Sequence, residues 1–403
     1  MKFKYGCTKI EIDLPDGYFS LTVKDPPFDI TKEQFKEQLT KKVPFRKYSS
    51  VGIVISDKTR LCGYDLYLPW LTEHLSETGA TSDNITFYIA YGTHPKQSEE
   101  ESLAAYGSTY SNYRFVHHDC TDERSMVTLG KTSSGTEIKI LKDILEHDLL
   151  ILMGAVSHHY FAGYGGGRKL IFPGLAFRNS IYANHKLFID FGRKRLHPGC
   201  QSGSLDANPV AEDLKEIDSM VPSKVIISGI LNPQGKVCRF DFGNTYKEFE
   251  KTCAIYDSYY KHESNEEFDL VIASSGGYPK DINLIQTHKS IHNAAAFVKN
   301  GGDLVLFGEC RDGIGNESFL DLFRGTKNKI IEQLAAKYSG NGGTALALMA
   351  KTSRINIHFM TSFDRPTCEL MNISKIDEKG IRTLVSQNRG SLAVIENASI
   401  IFR

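Results

Sequence analysis

Neither sign of charge is in excess in this chain: 48 Lys and Arg stand against 48 Asp and Glu in 403 residues, for a net charge of zero. That balance leaves no electrostatic footprint for nucleic acid or for an anionic membrane surface. No apolar stretch approaches the length of a membrane span. The opening Met-Lys-Phe-Lys-Tyr-Gly lacks the apolar core of a signal peptide. The eight cysteines (Cys7, Cys62, Cys120, Cys200, Cys238, Cys253, Cys310 and Cys368) contain no Cys-x-x-Cys pair, which argues against a zinc ribbon and a disulfide framework. A cytoplasmic location, with most thiols serving as small buried hydrophobes, is the expectation. Short repeats and low-complexity segments are also missing. What remains is ordinary for a globular protein, 41% hydrophobic and 24% charged. The length suggests about two or three domains.

The hydrophobic pattern alternates strands with helices. Residues 50–56 (SVGIVIS), 85–91 (ITFYIAY) and 149–153 (LLILM) read as short buried strands. Between the first two, residues 67–77 place Leu68, Leu71 and Leu75 on one helical face before Gly79. Ser98 followed by Glu99, Glu100 and Glu101 reads as a capped helix start. Residues 246–267 look helical and polar, a connector. A second unit then opens with a strand at 268–274 (FDLVIAS) and a Gly276-Gly277-Tyr278-Pro279 turn, followed by a helix near 285–298 and a strand at 303–308. This order predicts two α/β domains with mostly parallel sheets, residues 1–265 and 266–403, around an interdomain active-site cleft.

Residues 154–174 hold the densest chemistry. The strand before them runs into His158 and His159, then four glycines within 163–167, then Arg168 and Lys169. Glycines let backbone N–H groups approach an anion, and the lysine supplies a charge or a covalent attachment point. A nucleotide- or phosphate-binding loop over 163–169 is one reading. However, Leu170 stands where a phosphate loop needs Ser or Thr, and G-x-G-x-x-G does not fit cleanly. A zinc hydrolase would need a tight ligand motif such as H-E-x-x-H, which is absent.

Histidines follow strand ends three times, as His94, His117-His118 and His158-His159. Loops after neighbouring parallel strands lie side by side, so His94 and His159 could face one cleft and move protons on either face of a substrate. Arg60, in Asp57-Lys58-Thr59-Arg60, suits a carboxylate, with Asp57 placed to orient it. Gln286 and Lys289 share a helix face at i, i+3 spacing. His185, sixteen residues beyond Lys169, is a further neutral nitrogen ligand.

Together, Asp57-x-Thr59-Arg60, Gly92-Thr93-His94, His159 with Gly163-Tyr164-x-Gly166-Gly167-Arg168-Lys169 and Pro173-Gly174, His185, Asn208-Pro209, and Asn283-Leu284-x-Gln286-x-x-Lys289 resemble the nickel-pincer lactate racemase family. The match runs from about residue 45 to 310. The resemblance implies a nickel pincer nucleotide, a pyridinium-3-thioamide-5-thiocarboxylic acid mononucleotide carrying nickel. Lys169 would hold it through a covalent thioamide and His185 would ligate the metal, with Gly166, Gly167 and Arg168 close by. His94 and His159 would be the acid/base pair. Arg60, Gln286 and Lys289 would hold the substrate, a small 2-hydroxy acid. Enzymes that build the cofactor would be partners, while nucleic acid and membrane would not. Three positions depart from the family pattern: Gly165 replaces a serine, Ile285 a tyrosine, and Leu61-Cys62 a proline after Thr-Arg. The lost tyrosine hydroxyl leaves the substrate open between lactate and larger 2-hydroxy acids.

Overall fold

The computed structural model describes residues 1–221, 224–316 and 318–403. It divides into a central unit, Asp25–Leu187 with Gly199–Ser258, and a terminal unit, Met1–Lys24 with Phe188–Pro198 and Tyr259–Arg403. The sequence suggested a single boundary at 265, but the division is discontinuous. Pairings between residues distant in sequence are the reason. Phe19–Ser20 runs parallel to Leu392–Ile395, and Phe3 stacks on Phe307 with centroids 4.7 Å apart. Ile189 joins a cluster with Ile330, Leu334 and Leu346.

The central unit is built on six strands in the order Val237–Gly243, Val225–Leu231, Leu149–Ala155, Val51–Ser56, Ile85–Ala90, Arg114–His117. Every neighbouring pair is parallel except the hairpin of the first two. Val51–Ser56 and Ile85–Ala90 are buried at all positions, as apolar runs are in a sheet covered on both faces. The helix Tyr64–Glu77 covers one face through Tyr64, Tyr67, Leu68, Leu71 and Leu75, a stripe of helical period. Ser98 caps Glu99–Tyr106 through a capping box with Glu101, as its sequence suggested. Because the strands are parallel, the loops after 51–56, 85–90 and 149–155 leave from one edge of the sheet. These loops carry Arg60, His94 and His159.

The terminal unit has its own six-stranded sheet in the order Ser374–Lys375, Asn356–Met360, Val298–Phe307, Phe268–Ser274, Leu392–Ile395, Phe19–Ser20, parallel throughout. The helix Leu284–Ala295 follows the strand Phe268–Ser274 and buries Leu284, Thr287, His288, Ile291, Ala294 and Ala295. The strand Val298–Phe307 starts five residues before the expected 303. Among the described residues, no helix is long and apolar enough to cross a membrane.

Candidate active site

Asp57 ends the strand Val51–Ser56 and caps the short turn Lys58–Arg60. Its Oδ1 accepts from the Thr59 N–H at 2.7 Å and the Thr59 hydroxyl at 2.6 Å. Its Oδ2 lies 2.7 Å from His94 Nδ1. Arg60 Nη1 is 3.5 Å from the same His94 nitrogen. Burial alone would raise the Asp57 carboxyl, but the charge and hydrogen bond of His94, followed by Arg60 and Thr59, outweigh it and hold the carboxyl well below the usual range. The carboxylate therefore stays ionised and pins Nδ1 of His94, which leaves Nε2 as the ring nitrogen outside this contact. The expectation that Asp57 would orient Arg60 needs correcting. The carboxylate's two oxygens bond to His94 and Thr59, because these reach it from the adjacent strand end and from its own turn.

The segment after Leu149–Ala155 forms a small antiparallel pair, His158 opposite Tyr164 and His159 opposite Gly163. Phe161, at its bend, is 7% exposed. Three candidate residues gather on its ring. The Lys169 Nζ lies 5.6 Å from the centroid, the His185 ring 5.1 Å away at 75°, and the His159 ring 4.5 Å away at 86°. The Ala162 N–H donates to His159 Nδ1 at 3.3 Å. Asn208 fixes the Phe161 backbone by donating from Nδ2 to its carbonyl at 3.0 Å while capping the helix Pro209–Met220. Burial, reinforced by the charge of Lys169, pulls the His185 imidazole down to about 3, so its ring is neutral at physiological pH. Sequence reasoning missed Phe161, since the adjacent pair Tyr160-Phe161 in a glycine-rich loop carries no periodic signal.

The glycines and Arg168 have an internal use. A Cβ at Gly166 (φ +75) would sit 2.5 Å from the Ala155 carbonyl oxygen, and one at Gly167 (φ +50) 2.6 Å from the Phe249 ring. Arg168 is buried, donates to the Ala162 carbonyl at 3.2 Å, and lies 5.0 Å from the Phe249 ring and 5.7 Å from the Tyr246 ring. Its Nε and Nη1 have no hydrogen-bond partner among the described residues. The close approaches of this loop are thus to its own chain and to the helix Tyr246–Tyr260, which was expected to be a longer polar connector.

The other histidines of the strand ends are tied into the fold. His117 bonds to the Tyr91 hydroxyl at 2.8 Å through Nδ1 and to the Tyr110 hydroxyl at 3.1 Å through Nε2. His118 Nε2 lies 3.1 Å from the Ala176 carbonyl, and burial pulls its ring down to about 4. His158 Nε2 is 2.8 Å from Asp257. In the terminal unit, Asn283 caps Leu284–Ala295 by accepting from the Gln286 N–H at 3.0 Å. Lys289 Nζ donates to Gln286 Oε1 at 2.6 Å, so the i, i+3 pair meets as its spacing suggested. Among the described residues, no group of three or more His, Cys, Asp or Glu is arranged to hold a metal.

A family model described as the lactate racemase N-terminal domain matches residues 5–196, and one described as the lactate racemase C-terminal domain matches residues 263–344. A lactate racemase of Thermoanaerobacterium thermosaccharolyticum is 30% identical over 344 residues, 81% of this chain and 78% of that protein. One from Lactiplantibacillus plantarum is 31% identical over 274 residues, 67% of this chain and 62% of that protein. Among solved structures, the lactate racemase apoprotein of T. thermosaccharolyticum superposes with a TM-score of 0.86 at 25% identity, covering 99% of this chain and 98% of that one. A Thermotoga maritima crystal structure shares the fold at a TM-score of 0.72 and 16% identity, covering 95% and 100%.

Proposed function

The chain belongs to the lactate racemase family, and on that premise we propose that it interconverts the two configurations at C2 of a 2-hydroxy acid, as a racemase or epimerase. The observation that carries the reading is the gathering of Lys169, His159 and His185 on the Phe161 ring. A tethering amine, a neutral imidazole ligand and a proton-transfer group are the parts a nickel pincer nucleotide enzyme needs close together. Their chemistry fits the group. Imidazole suits Ni(II), so a neutral His185 would be able to ligate the metal of such a group. In this reading Lys169 holds the nucleotide covalently, His185 ligates nickel, and Gly166, Gly167 and Arg168 shape the loop that presents the lysine. When bound, the group supplies a reversible acceptor for the hydrogen and electron pair of the C2–H bond.

The protein's own residues handle the rest. His94, with Nδ1 pinned by Asp57, takes the substrate hydroxyl proton at Nε2 as the C2 hydrogen leaves with both its electrons. The product of that half-reaction is a 2-keto acid, flat at C2. For the opposite configuration, His159 in its protonated form would deliver a proton to the keto oxygen. The two histidines exchange roles for the reverse direction. Arg60 would hold the substrate carboxylate, a guanidinium fork being well matched to it. Ile285 is partly buried against the terminal unit's core. It brings no hydroxyl to the substrate, so the class extends from lactate to larger 2-hydroxy acids.

Intact-mass spectrometry and nickel analysis test this reading on protein co-produced with the enzymes that build the cofactor. The expected result is a Lys169-dependent adduct with one nickel per chain, absent in Lys169→Ala, and racemisation of at least one acid in a chiral panel. An unmodified, nickel-free chain under those conditions would overturn it.

A further inference from the structure

Asp257 lies on the helix Tyr246–Tyr260, outside the set of residues assigned to the reaction. Each of its carboxylate oxygens is engaged. Oδ1 is 2.8 Å from His158 Nε2, and Oδ2 accepts from the Tyr164 hydroxyl at 2.5 Å. His158 and Tyr164 are opposite one another in the two-residue antiparallel pair, so their side chains leave from the same face. The next pair, His159 and Gly163, points to the other face. There the glycine offers no side chain, and the His159 ring meets Phe161 instead. The His158 side chain is only 4% exposed and also packs on Tyr256, one residue before Asp257, with centroids 4.8 Å apart. One carboxylate therefore grips both strands of the hairpin from behind, and alternation turns His159 away from it.

We propose that Asp257 is a positioning residue. By clamping His158 and Tyr164 it fixes the rotation of the 158–164 hairpin, and with it the direction in which His159 presents its imidazole. The helix is a suitable base for such a clamp, because Phe249, Cys253 and Tyr256 on the same stripe are buried. Tyr164 is held in its neutral, donating form, since burial followed by the hydrogen bond and charge of Asp257 raises its phenol far above the ordinary value. Asp257→Asn leaves one accepting oxygen where His158 and Tyr164 each have their own. A rotation of the hairpin that moves His159 by about 1 Å is enough to cost on the order of 100-fold in rate.

The inference rests on the assignment of His159 to proton transfer, and its test separates the two. Ring 15N spectra of histidine-labelled protein, assigned through His159→Asn and His94→Asn, report ring position without any activity. In Asp257→Asn and Tyr164→Phe the His159 ring signals should shift or broaden while those of His94 stay in place. Asp257→Glu should restore part of the native spectrum. On the cofactor-loaded enzyme, the same variants should keep the Lys169 adduct and a near-native KM while kcat falls about tenfold or more. An unchanged His159 spectrum in both folded variants would overturn the clamp. A wild-type enzyme inactive on every acid would instead overturn the racemase reading and leave the spectra to decide the clamp. Should Asp257→Asn fail to fold, Tyr164→Phe, which removes one bond and keeps the carboxylate, decides alone.

Discussion

Asp57 is 2% exposed and still ionised, because His94, Arg60 and Thr59 surround a charge that burial alone would neutralise. Its folded-state affinity for a proton lies below that of an unfolded aspartate, near 3.9. The stability it contributes is therefore complete above about pH 4 and is lost as pH falls further. Asp57→Asn should cost on the order of 2 kcal/mol at pH 7, as loss of a charged hydrogen bond does. That cost should shrink towards pH 3, which urea denaturation at the two pH values would measure. The same variant keeps an amide beside His94 without securing the tautomer, so kcat should fall by on the order of 1,000-fold with little change in KM. A substitution at His117, whose ring nitrogens bond to Tyr91 and Tyr110, belongs to stability instead.

The element that most shapes the candidate site is the helix Tyr246–Tyr260. Tyr246 and Phe249 take the Arg168 guanidinium, Phe249 fills the space beside Gly167, and Asp257 holds the hairpin. Gly167→Ala should be destabilising because its Cβ collides with the Phe249 ring, and part of that loss should be recovered by Phe249→Leu, which withdraws the ring. Gly166→Ala should not be rescued this way, since its obstacle is the backbone oxygen of Ala155. Thermal unfolding of the singles and the doubles would measure the coupling, and strictly additive losses for Gly167→Ala and Phe249→Leu would refute the contact. The sequence concealed this helix's role. Its buried stripe is made of tyrosine, phenylalanine and cysteine interleaved with lysine and glutamate, which reads as a solvated connector. Val51–Ser56 and Ile85–Ala90 were readable because a short run dominated by β-branched, aromatic and other apolar residues and bounded by turn residues has few other fates.

At the scale of the whole molecule, two mostly parallel α/β sheets were legible from the repeated strand–helix order, but the chain's route between units was not. Phe19–Ser20 finds its partner more than three hundred residues later in Leu392–Ile395, and Phe188–Pro198 is an excursion whose apolar residues join a distant cluster. Neither pairing leaves a local trace in the sequence. The central unit's candidate residues were readable for the opposite reason: Asp57, His94, His159 and Lys169 sit in short motifs after strand ends, and parallel strands send those loops out from one edge of the sheet. Their supports, Phe161, Tyr164 and Asp257, come from ring and carboxylate contacts that spacing does not encode. The central claim is that the C2 hydrogen moves as a hydride and returns, with the histidines handling only the hydroxyl proton. Racemisation of a 2-deuterated 2-hydroxy acid by the cofactor-loaded enzyme in ordinary water tests it most directly. The account predicts inverted product with the deuterium largely retained at C2. Product whose C2 label has exchanged wholesale with solvent would contradict it and point to proton abstraction from carbon.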